Sequence, residues 1–173
     1  MNIYRLTVLN DENDEFIREI EIKENQNFED LHNFLKKSVN LKDYELSSFF
    51  LCNENWEKQE EIVLIDMNLD EKQEAIMPTH LMKNSIIKDF IKEENQRLIY
   101  EYDYLNLNTF FIECSLVLDG FDPQKKYPRC RYSKGQVFNS SEILNTDDSD
   151  KLREELLEEF TNLFSEDEDG DEF

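Results

Sequence analysis

Residues 2–38 have the sequence NIYRLTVLNDENDEFIREIEIKENQNFEDLHNFLKKS, and they carry the pattern that decides the fold. Apolar and polar residues alternate over residues 2–9 and again over residues 15–23, which predicts an antiparallel hairpin with one face toward a core. The spacing then changes to that of a helix over residues 28–38. The predicted apolar stripe of this helix is formed by Phe28, Leu31, His32, Leu35 and Val39.

The alternation of strands and short helices continues beyond this opening. Further strands are predicted over residues 46–52 and 61–65, and a short helix over residues 86–91. Residues 97–104 and 109–118 alternate once more and predict a second hairpin. The sequence therefore predicts an α+β fold, in which a mostly antiparallel sheet is built from two hairpins and helices pack on one face of it.

Two parts of the chain are predicted from composition. Residues 1–146 form an α+β domain that ends in an extended, aperiodic segment lying over the core. Residues 147–173 are strongly acidic, with an amphipathic helix from about residue 150 to residue 164 and a charged tail that we expect to be disordered. Because a short isolated helix is marginal in water, we expect this helix to pack on its own domain with Phe160 buried.

The charge excludes several classes of partner. Forty-one Asp and Glu stand against nineteen Lys and Arg, for a formal net charge of -22. Binding to nucleic acid needs a basic face, and the densest basic stretch, residues 125–134, is interpreted as a solvated loop that pairs with the acidic surface. The chain has no run of 18 apolar residues that would predict a membrane span, and its charge opposes anionic lipid.

The cysteines and the N-terminal residues bear on the compartment. Cys52, Cys114 and Cys130 include no CxxC pair, so they predict reduced thiols. The N-terminal residues predict a strand and not a signal peptide. A cytoplasmic protein is therefore expected.

Candidate catalytic groups are few. The GxSxG, GxGxxG, P-loop and HExxH patterns are all absent. His32 lies on the apolar stripe, where a buried histidine bonded to the backbone or to a tyrosine is favoured over a catalytic base. Cys52 and Cys114 share faces with apolar residues and are expected in the core. Two histidines and scattered cysteines do not reach zinc-ligand spacing, so neither a metal nor a cofactor is expected.

The stretch FEDLHNFLKKSVNLKDYELSSFFLCNENWEKQEEIVLIDM, residues 28–67, carries a family resemblance together with YEYDYL at residues 100–105. In order and spacing these elements resemble the plasmid ORF-3-like family, named for open reading frame three of a root-inducing plasmid, and its long-form members with an acidic C-terminus. The resemblance covers residues 1–132 and implies a compact α+β domain with no established activity. The motif residues that it singles out, as functional or structural candidates, are Asp30, Leu31, His32, Trp56, Tyr102 and Asp103.

Trp56, in a turn rich in glutamate, allows two interpretations. Either an exposed indole anchors a partner, or the indole folds back and covers the open end of the sheet. The resemblance favours the second interpretation, because the turn recurs together with the strands around it.

The favoured function is a non-enzymatic interaction or regulatory module that binds a protein partner of basic or apolar character. The alternative is an acidic DNA mimic or inhibitor that occupies the basic cleft of its target. An enzyme that uses His32 is the least favoured, because no second catalytic group accompanies it. Neither a nucleic acid nor a membrane is expected as a direct partner.

Overall fold

The computed structural model describes residues 1–41, 46–65, 77–103 and 108–137 of the chain. These residues contain eight strands, two α-helices and one 3-10 turn. In chain order the elements are β1 Ile3–Asn10, β2 Ile17–Lys23, α1 Phe28–Ser38, β3 Ser48–Cys52, β4 Lys58–Val63, β5 Thr79–Leu81, the 3-10 turn Met82–Asn84, α2 Ile87–Phe90, β6 Arg97–Asp103, β7 Asn108–Leu118 and β8 Arg129–Lys134.

All eight strands join one sheet in the order β5-β4-β3-β6-β7-β1-β2-β8. Neighbouring strands run antiparallel, except that β4 and β5 are parallel. The chain therefore has an α+β fold with a mostly antiparallel sheet.

The prediction of two hairpins was incomplete. Three pairs of successive strands are antiparallel neighbours in the sheet, namely β1–β2, β3–β4 and β6–β7. The edge strands β5 and β8 were not predicted. Strand β5 has only three residues, and β8 exposes five of its six, so neither shows the apolar alternation that marks a half-buried strand.

Helix α1 begins with a capping box. The side-chain oxygen of Asn27 accepts the N–H of Asp30 at 2.8 Å, and the Asp30 carboxylate accepts the N–H of Asn27 at 3.4 Å. Acidic Glu29 and Asp30 lie in the first turn, and basic Lys36 and Lys37 lie in the last, so both ends complement the helix dipole.

One side of the sheet, here called the core face, carries the main apolar core, and α1 buries Phe28, Leu31, His32 and Leu35 against it. Aromatic rings cross the sheet under the helix. The ring centroids are 5.2 Å apart for Phe28 and Phe49, 4.5 Å for Phe49 and Tyr100, 4.9 Å for Tyr102 and Phe110, and 5.3 Å for Phe110 and Phe16.

The opposite side of the sheet is here called the outer face. It holds a smaller apolar cluster of Phe50, Cys52 and Ile99, and no residue of α1 or α2 belongs to that cluster. The strand register places charged residues of β1, β2 and β8 on the same face, among them Arg5, opposite Glu21.

The described residues fall within one compact unit, Met1–Val137. The segment expected to lie over the core instead contains β8, which extends the sheet beside β2. The predicted boundary at residue 146, the predicted helix over residues 150–164 with Phe160, and the acidic tail lie outside the described residues.

Candidate functional site

Three of the motif residues lie in the first two turns of α1. Asp30 is half of the capping box, and the Leu31 side chain is fully buried in the core. His32 is also buried, and its Nδ1 lies 2.8 Å from the Tyr100 hydroxyl on β6. This contact joins the helix to the centre of the sheet.

Burial governs the protonation of His32. Loss of solvent, with a smaller contribution from the charge of Lys36, lowers the pKa of His32 to about 4. The imidazole is therefore neutral at neutral pH. Its ring also meets the Tyr100 ring edge-on, at a centroid distance of 5.9 Å.

Tyr102 and Asp103 lie at the end of β6. The Tyr102 ring is buried, and it stacks on Tyr100 at 5.9 Å and on Phe110 at 4.9 Å. The backbone of Asp103 pairs with that of Asn108, where the ladder between β6 and β7 shifts register. The structure thus brings His32 and Tyr102 into one aromatic neighbourhood through Tyr100. The sequence signal for this grouping is that Tyr100 and Tyr102 are two residues apart, so they share one face of the strand.

Trp56 lies on the other side of the sheet. Its backbone is left-handed, with φ 63, in the hairpin loop between β3 and β4. The Asn53 side chain holds this loop by accepting the N–H groups of Asn55 at 2.9 Å and Glu57 at 3.0 Å. The indole therefore lies against the outer face.

The indole packs on two neighbours. It meets the Phe111 ring edge-on at a centroid distance of 5.1 Å, and the Arg97 guanidinium lies 5.1 Å from the indole ring. Partly buried Trp56, Met77 and Phe111 flank the outer cluster of Phe50, Cys52 and Ile99, and these six residues with Arg97 are here called the Trp56 patch.

Ion pairs border the Trp56 patch. The Lys58 ammonium lies 3.8 Å from the centre of the Phe50 ring and pairs with Glu101. Arg97 Nε donates to Glu113 at 3.2 Å. The border therefore consists of charges fixed in place around an apolar centre.

A second charged group, which the sequence did not reveal, centres on Glu21. This buried carboxylate accepts Arg5 at 2.9 Å and the Nε of Arg129 at 2.8 Å. Burial alone would raise the pKa of Glu21, but hydrogen bonds and charge from the two arginines outweigh burial and lower it. Alternation could not predict this group, because its partners are 16 and 108 residues from Glu21.

The thiols of the core are poor nucleophiles. Burial raises the pKa of Cys52, and it raises the pKa of Cys114 to about 11. Within the described ranges no three His, Cys, Asp or Glu residues are grouped closely enough to hold a metal ion. No helix in that part of the chain is long and apolar enough to cross a membrane.

The described residues thus form one eight-stranded sheet, with helix α1 anchored on its core face and the Trp56 patch on its outer face. Residues 2–140 match the family described as "Plasmid pRiA4b ORF-3-like protein", and the chain belongs to that family.

The fold is similar to the crystal structure of a protein of unknown function, MM3350, from Methanosarcina mazei Go1. The two chains are 20% identical with a TM-score of 0.65, over 90% of this chain and 88% of that one. The comparison with curated proteins found no match.

Proposed function

We propose that this chain is a non-enzymatic interaction module and that a protein partner docks on the Trp56 patch. The observation that carries the proposal is the left-handed backbone of Trp56. That conformation costs an L-residue about 1–2 kcal/mol, and such strain persists where the surroundings hold a side chain in a required place. Asn53 supplies the holding contacts here.

The composition of the patch supports docking. Trp, Phe and Arg are enriched at the centres of protein interfaces, where a few such side chains supply most of the binding energy. Trp56 contacts both Phe111 and Arg97, and all three are half-buried. A partner that covers them would remove the remaining exposed surface from water.

Charge favours a basic partner. Glu54 and Glu57 are exposed in the loop that carries Trp56, and the whole chain has a net charge of -22. A basic surface would be steered toward this loop at low ionic strength.

The non-enzymatic part of the proposal rests on the candidate catalytic groups. His32 is buried and bonded to Tyr100, and the pKa values of Cys52 and Cys114 are raised. Each of these side chains is buried in an apolar cluster or beside one, and among the described residues none is placed beside a second group that would act with it in catalysis.

The experiment uses Trp56 as its own probe, because it is the only tryptophan of the chain. A basic protein captured on the full chain from the cells that produce it is purified and titrated against the chain. We expect the Trp56 emission to change on binding. Trp56→Ala should weaken binding at least tenfold, since truncating a central anchor costs about 2 kcal/mol or more.

The matched control is Tyr132→Ala, which removes an exposed aromatic side chain from β8. This variant should bind like the unmodified chain, and the melting temperatures of both variants should be compared first. Equal binding by the Trp56→Ala and Tyr132→Ala variants would refute docking on the patch. Displacement of the partner by duplex DNA would favour the DNA-mimic alternative.

A further inference from the structure

Strand β8 is attached to the sheet by polar side chains more than by apolar burial. Arg129 and Arg131 reach Glu21 and Glu19 on β2. The buried guanidinium of Arg18 donates to the carbonyl oxygen of Lys134 at 2.6 Å, and a second bond of 2.8 Å ends on Gly135. These contacts are here called the β8 latch.

The apolar contribution to this attachment is small. Five of the six residues of β8 are exposed, and none belongs to the buried core cluster. Of the described residues after β8, Val137 packs partly on that cluster. The Arg131–Glu19 pair is partly exposed and is screened by salt, whereas Arg18 and Glu21 are buried and lose latch contacts when β8 leaves. Release of β8 removes none of its own side chains from the core cluster.

Strand β8 follows a long connection from β7. Ten residues lie between Leu118 and Arg129, and they reach about 33 Å when extended. Near the start of this segment Gly120 has a positive φ of 84, with open space around it. The segment can therefore redirect β8 away from its own sheet.

The charges around β2 select what replaces β8. Residues 121–137 carry five Lys or Arg and one Asp, in a chain whose net charge is -22. The β2 carboxylates of Glu19 and Glu21 favour a basic strand there and repel an acidic one. Strand β8 of another copy has the correct residue at each register position.

We propose that β8 exchanges between copies of this chain, so that β2 of one copy accepts β8 of a second copy in the same register. The exchanged pair reproduces every contact of the β8 latch. Because β8 is tethered to its own sheet, its effective concentration there is high. Exchange with another copy therefore needs a high protein concentration. Salt speeds exchange by screening the exposed part of the latch, and it favours the dimer by screening the repulsion between two acidic chains.

The test traps the exchanged register with a disulfide. Ile17 on β2 faces Lys134 on β8. Full-length chains carrying Ile17→Cys and Lys134→Cys, each with Cys130→Ser to remove the exposed native thiol, are mixed and oxidised. We expect a covalent heterodimer whose yield rises several-fold between low and high salt.

The matched control replaces Lys134→Cys by Lys126→Cys, which is also exposed but lies outside the strand. This pair should give only the background of random collisions. Equal yields from the two pairs, or no heterodimer from the first pair at any salt concentration, would overturn the proposal.

A second measurement needs no engineered cysteine. Glu21→Gln weakens the latch, whereas Glu113→Gln removes an ion pair with Arg97 on the same face, away from β8. Mixed isotope-labelled and unlabelled chains should form mixed dimers in native mass spectrometry, and they should form them faster with Glu21→Gln than with Glu113→Gln. Equal rates for both variants would contradict a latch at Glu21.

Discussion

The hydrogen bond between His32 and Tyr100 joins the only long helix of the described residues to the sheet. Its energetic value depends on a neutral imidazole. The apolar stripe of the sequence predicts that His32 faces the core. Its partner Tyr100 depends instead on the strand order, which places β6 beneath α1. Pattern analysis therefore predicts the burial of this residue and leaves its partner open to a backbone group or a tyrosine.

The first prediction concerns pH. The pKa of His32 is about 4 in the fold and about 6.5 in an unfolded chain. Between these values the unfolded chain binds the proton more readily, so stability is full above pH 6.5 and falls as the pH drops toward 4. The loss approaches about 3 kcal/mol. Urea unfolding at pH 7 and at pH 5 measures it.

His32→Gln should lower stability at pH 7 by about 1–3 kcal/mol and should flatten this pH dependence. His80→Gln is the control, because His80 is partly exposed beside Glu60. A pH dependence that disappears in the His80 variant and persists in the His32 variant would contradict the assignment.

The elements differ in how far the sequence determines them. Helix α1 lies over the predicted residues 28–38, because its cap and its apolar stripe are local signals. Strands β1, β2, β6 and β7 follow the predicted alternation, since each buries one row of side chains. Strand β8 exists through contacts with β2 more than 100 residues away, and no local pattern encodes such contacts. The position of Trp56 on the outer face likewise involves a left-handed backbone, which no local hydrophobic pattern encodes.

The second prediction tests the cap of α1. Asn27→Ala removes the side chain that accepts the N–H of Asp30, and it should cost about 1 kcal/mol of stability. Asn33→Ala is the matched control, because Asn33 is exposed within the same helix and alanine favours helices. In denaturant unfolding, Asn27→Ala should lower the free energy of unfolding, and Asn33→Ala should raise it slightly. Equal values would mean that the cap contributes nothing.

At the scale of the whole molecule, the charge is unevenly distributed along the chain. Deleting residues 166–173 removes six of the 41 acidic residues and lowers the overall repulsion. We expect thermal stability to stay within about 0.5 kcal/mol of the full chain, or to rise slightly at low salt. Calorimetry at two salt concentrations measures this. A loss above about 1 kcal/mol would show that the tail contributes contacts to the fold.

The strand order has a consequence for the synthesis of the chain. Strand β1 lies between β2 and β7, and Arg5 pairs with Leu116. While the chain emerges from the ribosome, the β1 edge of the β1–β2 hairpin stays open until β7 has been made, and 84 residues separate Lys23 from Asn108. Such long-range strand pairing slows folding, and until it occurs the intermediate exposes an unpaired strand edge that is prone to aggregation. We therefore expect newly made copies of this chain to be prone to pair with other chains in the interval before β7 is made.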